Sequence, residues 1–127
     1  MAQSQSPYLI DGRLEKVLAA IQIMGSYEWA SRKSIEWAKK LDTEQKNEAW
    51  LQLFKEHPEF FRVGSDNWIS LRWRHGYDRT YLVSERKDIT IEQSERMPEV
   101  ERKNKLSRKP LSPEQIEGLM KTAIELQ

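Results

Sequence analysis

The sequence predicts an α+β domain, and two observations predict it. Residues 57–76, HPEFFRVGSDNWISLRWRHG, read as a β-hairpin that follows directly on a helix. Two stretches of helical periodicity precede that hairpin, and a further helix and a short aromatic strand precede those. The expected order is therefore helix, strand, helix, helix and hairpin over residues 11–83. A polar start (1–10), a charged linker (84–111) and a last helix (112–127) complete the chain.

The first helix opens at Asp11, a residue suited to an N-cap, and runs to Met24. Leu14, Val17, Leu18, Ile21 and Met24 recur at helical spacing and mark its buried face, and Gly25 is the expected stop. Tyr27 and Trp29 alternate with polar neighbours as a short strand. Ser31 is the expected cap of a second helix with Ile35, Ala38 and Leu41 inward and Trp37 at the border. Asp42 and Thr43 open a third helix, which buries Ala49, Trp50, Leu53 and Phe54. It ends at His57, because a residue before proline is pushed out of the helical region.

The faces of the hairpin set its register, since a one-residue slip would move every side chain to the opposite side. With Ser65-Asp66-Asn67 as the loop, Val63 opposes Ile69 and Phe61 opposes Leu71. Trp73 joins that apolar face. Arg62, Trp68, Ser70, Arg72 and Arg74 take the other. Asn67 tolerates the left-handed conformation that such loops need.

Residues 84–109 hold six acidic and eight basic side chains with few apolar anchors, the composition of a solvated linker. Ile89 and Ile91 are its candidates for a short strand. In the last helix Ser112, Pro113 and Gln115 form an N-terminal capping pattern. Ile116, Leu119, Met120, Ala123 and Ile124 form an apolar stripe that requires a cover, either in the same chain or in a homodimer.

The order of elements over residues 11–75 resembles the winged-helix (winged helix-turn-helix) superfamily. HPEFFRV followed by WISLRW is also similar to the strand–wing portion of small uncharacterised bacterial proteins. The resemblance covers about half the chain and is one of topology, without a signature motif. It implies a module that binds DNA, RNA or another protein.

Composition narrows the function. The 127 residues carry 21 basic and 20 acidic groups, a net charge of +1, and no cysteine. Disulfides and thiolate chemistry are excluded. No apolar run approaches the length of a membrane span and no leader is visible, so a cytoplasmic protein without a membrane role is expected. The chain lacks P-loop, GxGxxG, GxSxG and HExxH patterns, so no catalytic, cofactor or metal residue is assigned. Its two histidines, His57 and His75, read as a helix C-cap and a turn residue.

The candidate binding surface is Arg62, Trp68, Arg72 and Arg74 on the hairpin, with Arg32 and Lys33 at the start of the second helix. Arginines clamp phosphates and an exposed indole can stack on a base or fill a partner's pocket. Trp29, Trp37, Trp50 and Trp73 are expected in the core. The near-neutral charge and an acidic third helix (Glu44, Glu48 and Glu56 against Lys46 and Lys55) put a protein-docking adaptor first. A nucleic-acid binder using the wing face and second helix is the alternative. A small hydrolase built from dispersed carboxylates is the remote third reading.

Overall fold

The computed structural model describes residues 6–41 and 44–127. It is a mixed α/β fold with two small antiparallel sheets. Helix α1 (Arg13–Ser26) buries Val17, Ile21 and Met24 of the predicted face together with Ala20, while Leu14 and Leu18 are partly buried against the core. Its start is set by Gly12 rather than Asp11. Gly12 is left-handed (φ 75°), a conformation glycine adopts without a Cβ penalty. Residues 7–9 form a short 3-10 turn, so the N-terminal boundary of the folded unit lies before residue 11.

The first strand, β1, is Ser31–Lys33, later than the expected Tyr27–Trp29. The shift moves the start of α2 (Ser34–Leu41) and rotates it. Trp37 becomes fully buried and Ile35 is left exposed. Asp42 and Thr43 lie outside the described residues. Helix α3 (Asn47–Glu56) buries Trp50, Leu53 and Phe54, while Ala49 is exposed.

Strands β2 (Phe61–Val63) and β3 (Trp68–Leu71) pair in the expected register, Phe61 with Leu71 and Val63 with Ile69. Asp66 and Asn67 both take positive φ in the turn. β1 adds to the other edge of β3, with Lys33 opposite Trp68, so the sheet order is β1-β3-β2. Phe61, Ile69 and Leu71 point into the core with Trp37, Trp50 and Phe54. The Trp37 indole donates to the Ile69 carbonyl at 2.9 Å and joins the sheet to α2.

The strand ends at Leu71, not Arg74. Arg72–His75 form one helical turn, α4, so successive side chains rotate by about 100° instead of alternating. Trp73, expected in the core, is therefore 44% exposed, and Arg74, expected on the surface, is fully buried. Arg74 is the internal tie of the fold. Nη1 donates to the Met24 carbonyl, Nη2 to those of Glu28 and Arg108, and Nε to Lys109, at 2.8–3.0 Å. The guanidinium thus gathers the end of α1, the approach to β1 and the segment before the last helix. Burial pulls its pKa down to about 10, which leaves it charged at neutral pH.

The expected charged linker is folded. β4 (Tyr81–Leu82) pairs with both β5 (Lys87–Asp88) and β6 (Leu106–Ser107), in a second sheet of order β5-β4-β6. Between β5 and β6 run α5 (Ile91–Arg96), opened by a Thr90–Gln93 capping box, and α6 (Glu99–Lys105). Ile89 follows β5 and Ile91 begins α5, so neither is a strand residue. Few apolar groups are needed because backbone pairing and one buried leucine, Leu106, anchor the segment. The Ser107 hydroxyl accepts from the Ala30 amide at 2.9 Å and ties the segment to the first sheet.

Helix α7 (Pro113–Leu126) has the predicted Ser112–Gln115 capping box. It packs on α1 of the same chain, with Ile116 and Ala123 buried and Leu119 and Met120 partly buried against the core. The inner part of the stripe thus has its cover within the same chain. Ile124 faces outward at 49% exposure. Gly25, inside α1 rather than stopping it, permits the close crossing: a Cβ there would lie 2.8 Å from Ile116 Cγ1. Ile116→Ala should cost about 2–5 kcal/mol in urea denaturation, whereas Ile124→Ala should stay within about 0.5 kcal/mol.

A polar network closes the N-terminal end of the domain. Arg13 Nη1 donates to Glu56 Oε1 (2.9 Å) and to Nε2 of the buried His57 (3.2 Å). That assigns the proton to Nδ1, which donates to Glu59 Oε1 at 3.0 Å. The Tyr8 hydroxyl donates to the same oxygen at 2.9 Å. With both ring nitrogens engaged, His57 is a structural residue. Burial would raise the Glu59 carboxyl, but hydrogen bonds from His57, its own amide and Tyr8 outweigh that and hold it below the usual carboxylate range. A lowered folded-state pKa gives stability that is present above the unfolded value of 4.5 and lost as pH falls through the folded one. Glu59→Gln should therefore flatten the acid limb of a stability–pH curve, which denaturation midpoints between about pH 3 and 6 would show.

Candidate binding cleft

The two sheets meet at an open cleft of about 680 Å³. One wall comes from β1, the residues just before it and the first residue of β3: Trp29, Ser31, Arg32, Lys33 and Trp68. The other comes from the end of α6, β6 and the residues that flank β4 and β6: Arg79, Lys103, Asn104, Leu106 and Arg108. Hydrogen-bonded pairing places Lys33 directly opposite Trp68, so the two side chains share one face of the sheet.

The charge of the cleft is one-sided. Five of its lining residues are cationic and one, Glu36, is acidic. Glu36 is already engaged by Arg32 at 3.2 Å and Lys39 at 3.9 Å. A chain of net charge +1 therefore concentrates positive charge here. The cations differ in freedom. Arg79 Nη2 donates to the Leu106 carbonyl at 2.7 Å, and Arg108 Nε to the Tyr77 carbonyl at 2.8 Å, so both are held in place. Arg32 packs over the Tyr27 ring at 5.4 Å. Lys33 and Lys103 extend from the walls as exposed side chains.

Behind the cleft the cations crowd one another. Burial and then the neighbouring Arg79 and Arg62 lower the Arg108 pKa, against a raising effect of Asp78. Burial and then Arg108, Arg62 and Arg72 lower that of His75, whose Nδ1 is buried without a hydrogen-bond partner. Like charges held this close by backbone hydrogen bonds leave a positive potential that an anion would relieve.

The residues singled out in the sequence divide among three fates. Arg32, Lys33 and Trp68 come together in the cleft, with Trp68 43% exposed. Arg62 sits half-buried behind it, its guanidinium folded over Gly64. Arg72 is exposed but its Nε donates to the Pro58 carbonyl, and Arg74 is the buried tie described above. Trp29, expected in the core, is a half-buried wall of the cleft. Arg79, Lys103, Asn104 and Arg108 are not among the predicted site residues, because only the fold of residues 77–109 brings them to β1. The excess of basic over acidic residues in 84–109 was the available signal.

A second depression, between Asp78, Arg79, Glu95, Glu99 and Arg102, is mixed in charge and offers no comparable bias. Among the described residues no group of three or more histidine, aspartate and glutamate side chains is placed to hold a metal ion. No helix among them is long and apolar enough to cross a membrane. Comparison with protein-family models, with curated proteins and with solved structures finds no match.

Proposed function

We propose that this chain is a non-catalytic nucleic-acid-binding module that takes its ligand in the cleft between the two sheets. The observation that carries the reading is the pairing of two indoles with five cations in one cleft. One of these cations, Arg32, is engaged by Glu36, the one carboxylate among the described lining residues, which leaves Lys33, Arg79, Lys103 and Arg108. Polyanion binding depends on local charge rather than net charge, because each phosphate neutralised releases its own counterions. The near-neutral composition, which favours a protein-docking adaptor at the level of sequence, therefore carries less weight than the placement of the cations.

The frame is a winged-helix arrangement. Its support is the order α1, β1, α2, α3, β2, β3 and the sheet order β1-β3-β2, with residues 64–67 as the wing. The residues after 76 form an added layer that completes the cleft. The usual recognition helix of such a frame is a poor reader here. The outer surface of α3 carries Glu48 in its first turn and Lys55 in its last, and Glu56 is spent on Arg13.

The test is a titration of a labelled single-stranded oligonucleotide at ~50 and ~200 mM salt. With three to five phosphates engaged, affinity should fall roughly 20- to 100-fold between the two. Absence of binding at the lower salt would overturn the reading.

A further inference from the structure

Resting on the nucleic-acid reading, we infer that the cleft selects single strands over duplex, with bases stacked on Trp68 and Trp29 and phosphates on Lys33, Lys103 and Arg108. Three observations converge on this. The cleft of about 680 Å³ is of a size that encloses a group as large as a nucleotide, not a base-paired helix. Its apolar surface is aromatic and placed beside the cations: Trp68 lies directly across the strand pair from Lys33. Every base offers a π-face to an indole only when it is unpaired and can splay from its neighbours.

The element that would read a duplex is missing from this surface. Among the described residues no helix presents a basic face at the cleft for insertion into a major groove. The contribution of α6 is its last turn, through Lys103 and Asn104. Asn104, exposed on the cleft wall, has the amide donor and acceptor that an unpaired base edge can use. Arg108 and Arg79 are pre-positioned by carbonyl hydrogen bonds, so ordering them on binding costs little side-chain freedom.

The experiment compares five titrations at ~50 mM salt. The full chain is titrated with a labelled mixed-sequence single strand of about 12 nucleotides, the same strand annealed to its complement, and poly-glutamate. The fourth is Trp68→Ala with the single strand, and Trp68→Phe serves as the aromatic rescue. The single strand should bind at least ~10-fold more tightly than the duplex. Trp68→Ala should lose on the order of 10-fold, and Trp68→Phe should recover most of it. Equal binding of strand and duplex, with poly-glutamate weaker, would overturn this inference while leaving the nucleic-acid reading intact. Poly-glutamate binding as tightly as the strand would overturn both and point to an acidic protein segment. Binding by neither nucleic acid would also overturn both.

Discussion

Arg74→Met should cost at least about 3 kcal/mol of folding stability, a large share of the roughly 5–15 kcal/mol that holds a domain of this kind together. The Arg74 guanidinium is the hydrogen-bond donor that ties the Met24, Glu28, Arg108 and Lys109 carbonyls into one point, and it is fully buried. Methionine matches much of its length but donates nothing. Buried acceptors left without partners each cost about 1–3 kcal/mol, less whatever water can recover. Arg74→Lys should rescue little, since one ammonium cannot span the fork of a guanidinium. Urea denaturation of both variants checks this. Arg74→Lys holding wild-type stability would show that charge, not the planar fork, carries the tie. The same contacts hold residues 108–109 beside the cleft, so a folded Arg74 variant should also bind nucleic acid less tightly.

Lys33→Glu combined with Lys103→Glu should weaken single-strand binding by roughly 50-fold or more at ~50 mM salt, and lower the salt slope by about 1.4. Each single-strand phosphate contact contributes about 0.7 to that slope. These two lysines stand on opposite walls and make no ion pair among the described residues, so reversing them removes attraction without breaking an internal contact. Folding stability should stay within about 0.5 kcal/mol, as for exposed sites elsewhere. Fluorescence anisotropy across salt gives both quantities. An unchanged slope would remove these side chains from the interface.

The hairpin of the first sheet, though not its third strand β1, was legible because alternation leaves one register that separates apolar from polar. Phe61, Val63, Ile69 and Leu71 pair as that rule requires. Legibility ended where the backbone changed period. One helical turn after Leu71 exchanged the places of Trp73 and Arg74, and nothing in LRWRHG announces that turn. The second sheet was invisible for a different reason. Its strands are two residues long, too short for any period, and sit in a segment where polar side chains outnumber apolar ones. The cleft inherits both limits. Arg32, Lys33 and Trp68 could be proposed from the hairpin and its neighbour, whereas the wall of Arg79, Lys103 and Arg108 exists only once β4 and β6 pair. The last helix was read correctly in its capping and in its stripe as far as Ala123, with Ile124 outside it, while the close crossing that covers it rests on Gly25, a small residue that reads as a helix end rather than a helix crossing.

The five tryptophans provide the most direct test of the cleft as the binding site. Trp37 and Trp50 are buried in the core, Trp73 is exposed on α4 away from the cleft lining, and Trp29 and Trp68 form its walls. An NMR titration that follows the five indole N–H signals with a short single strand at low salt separates these positions in one experiment. The signals of Trp29 and Trp68 should move with the strand while those of Trp37, Trp50 and Trp73 hold still. A strand that binds while shifting Trp73 and leaving Trp29 and Trp68 in place would contradict the assignment of the cleft.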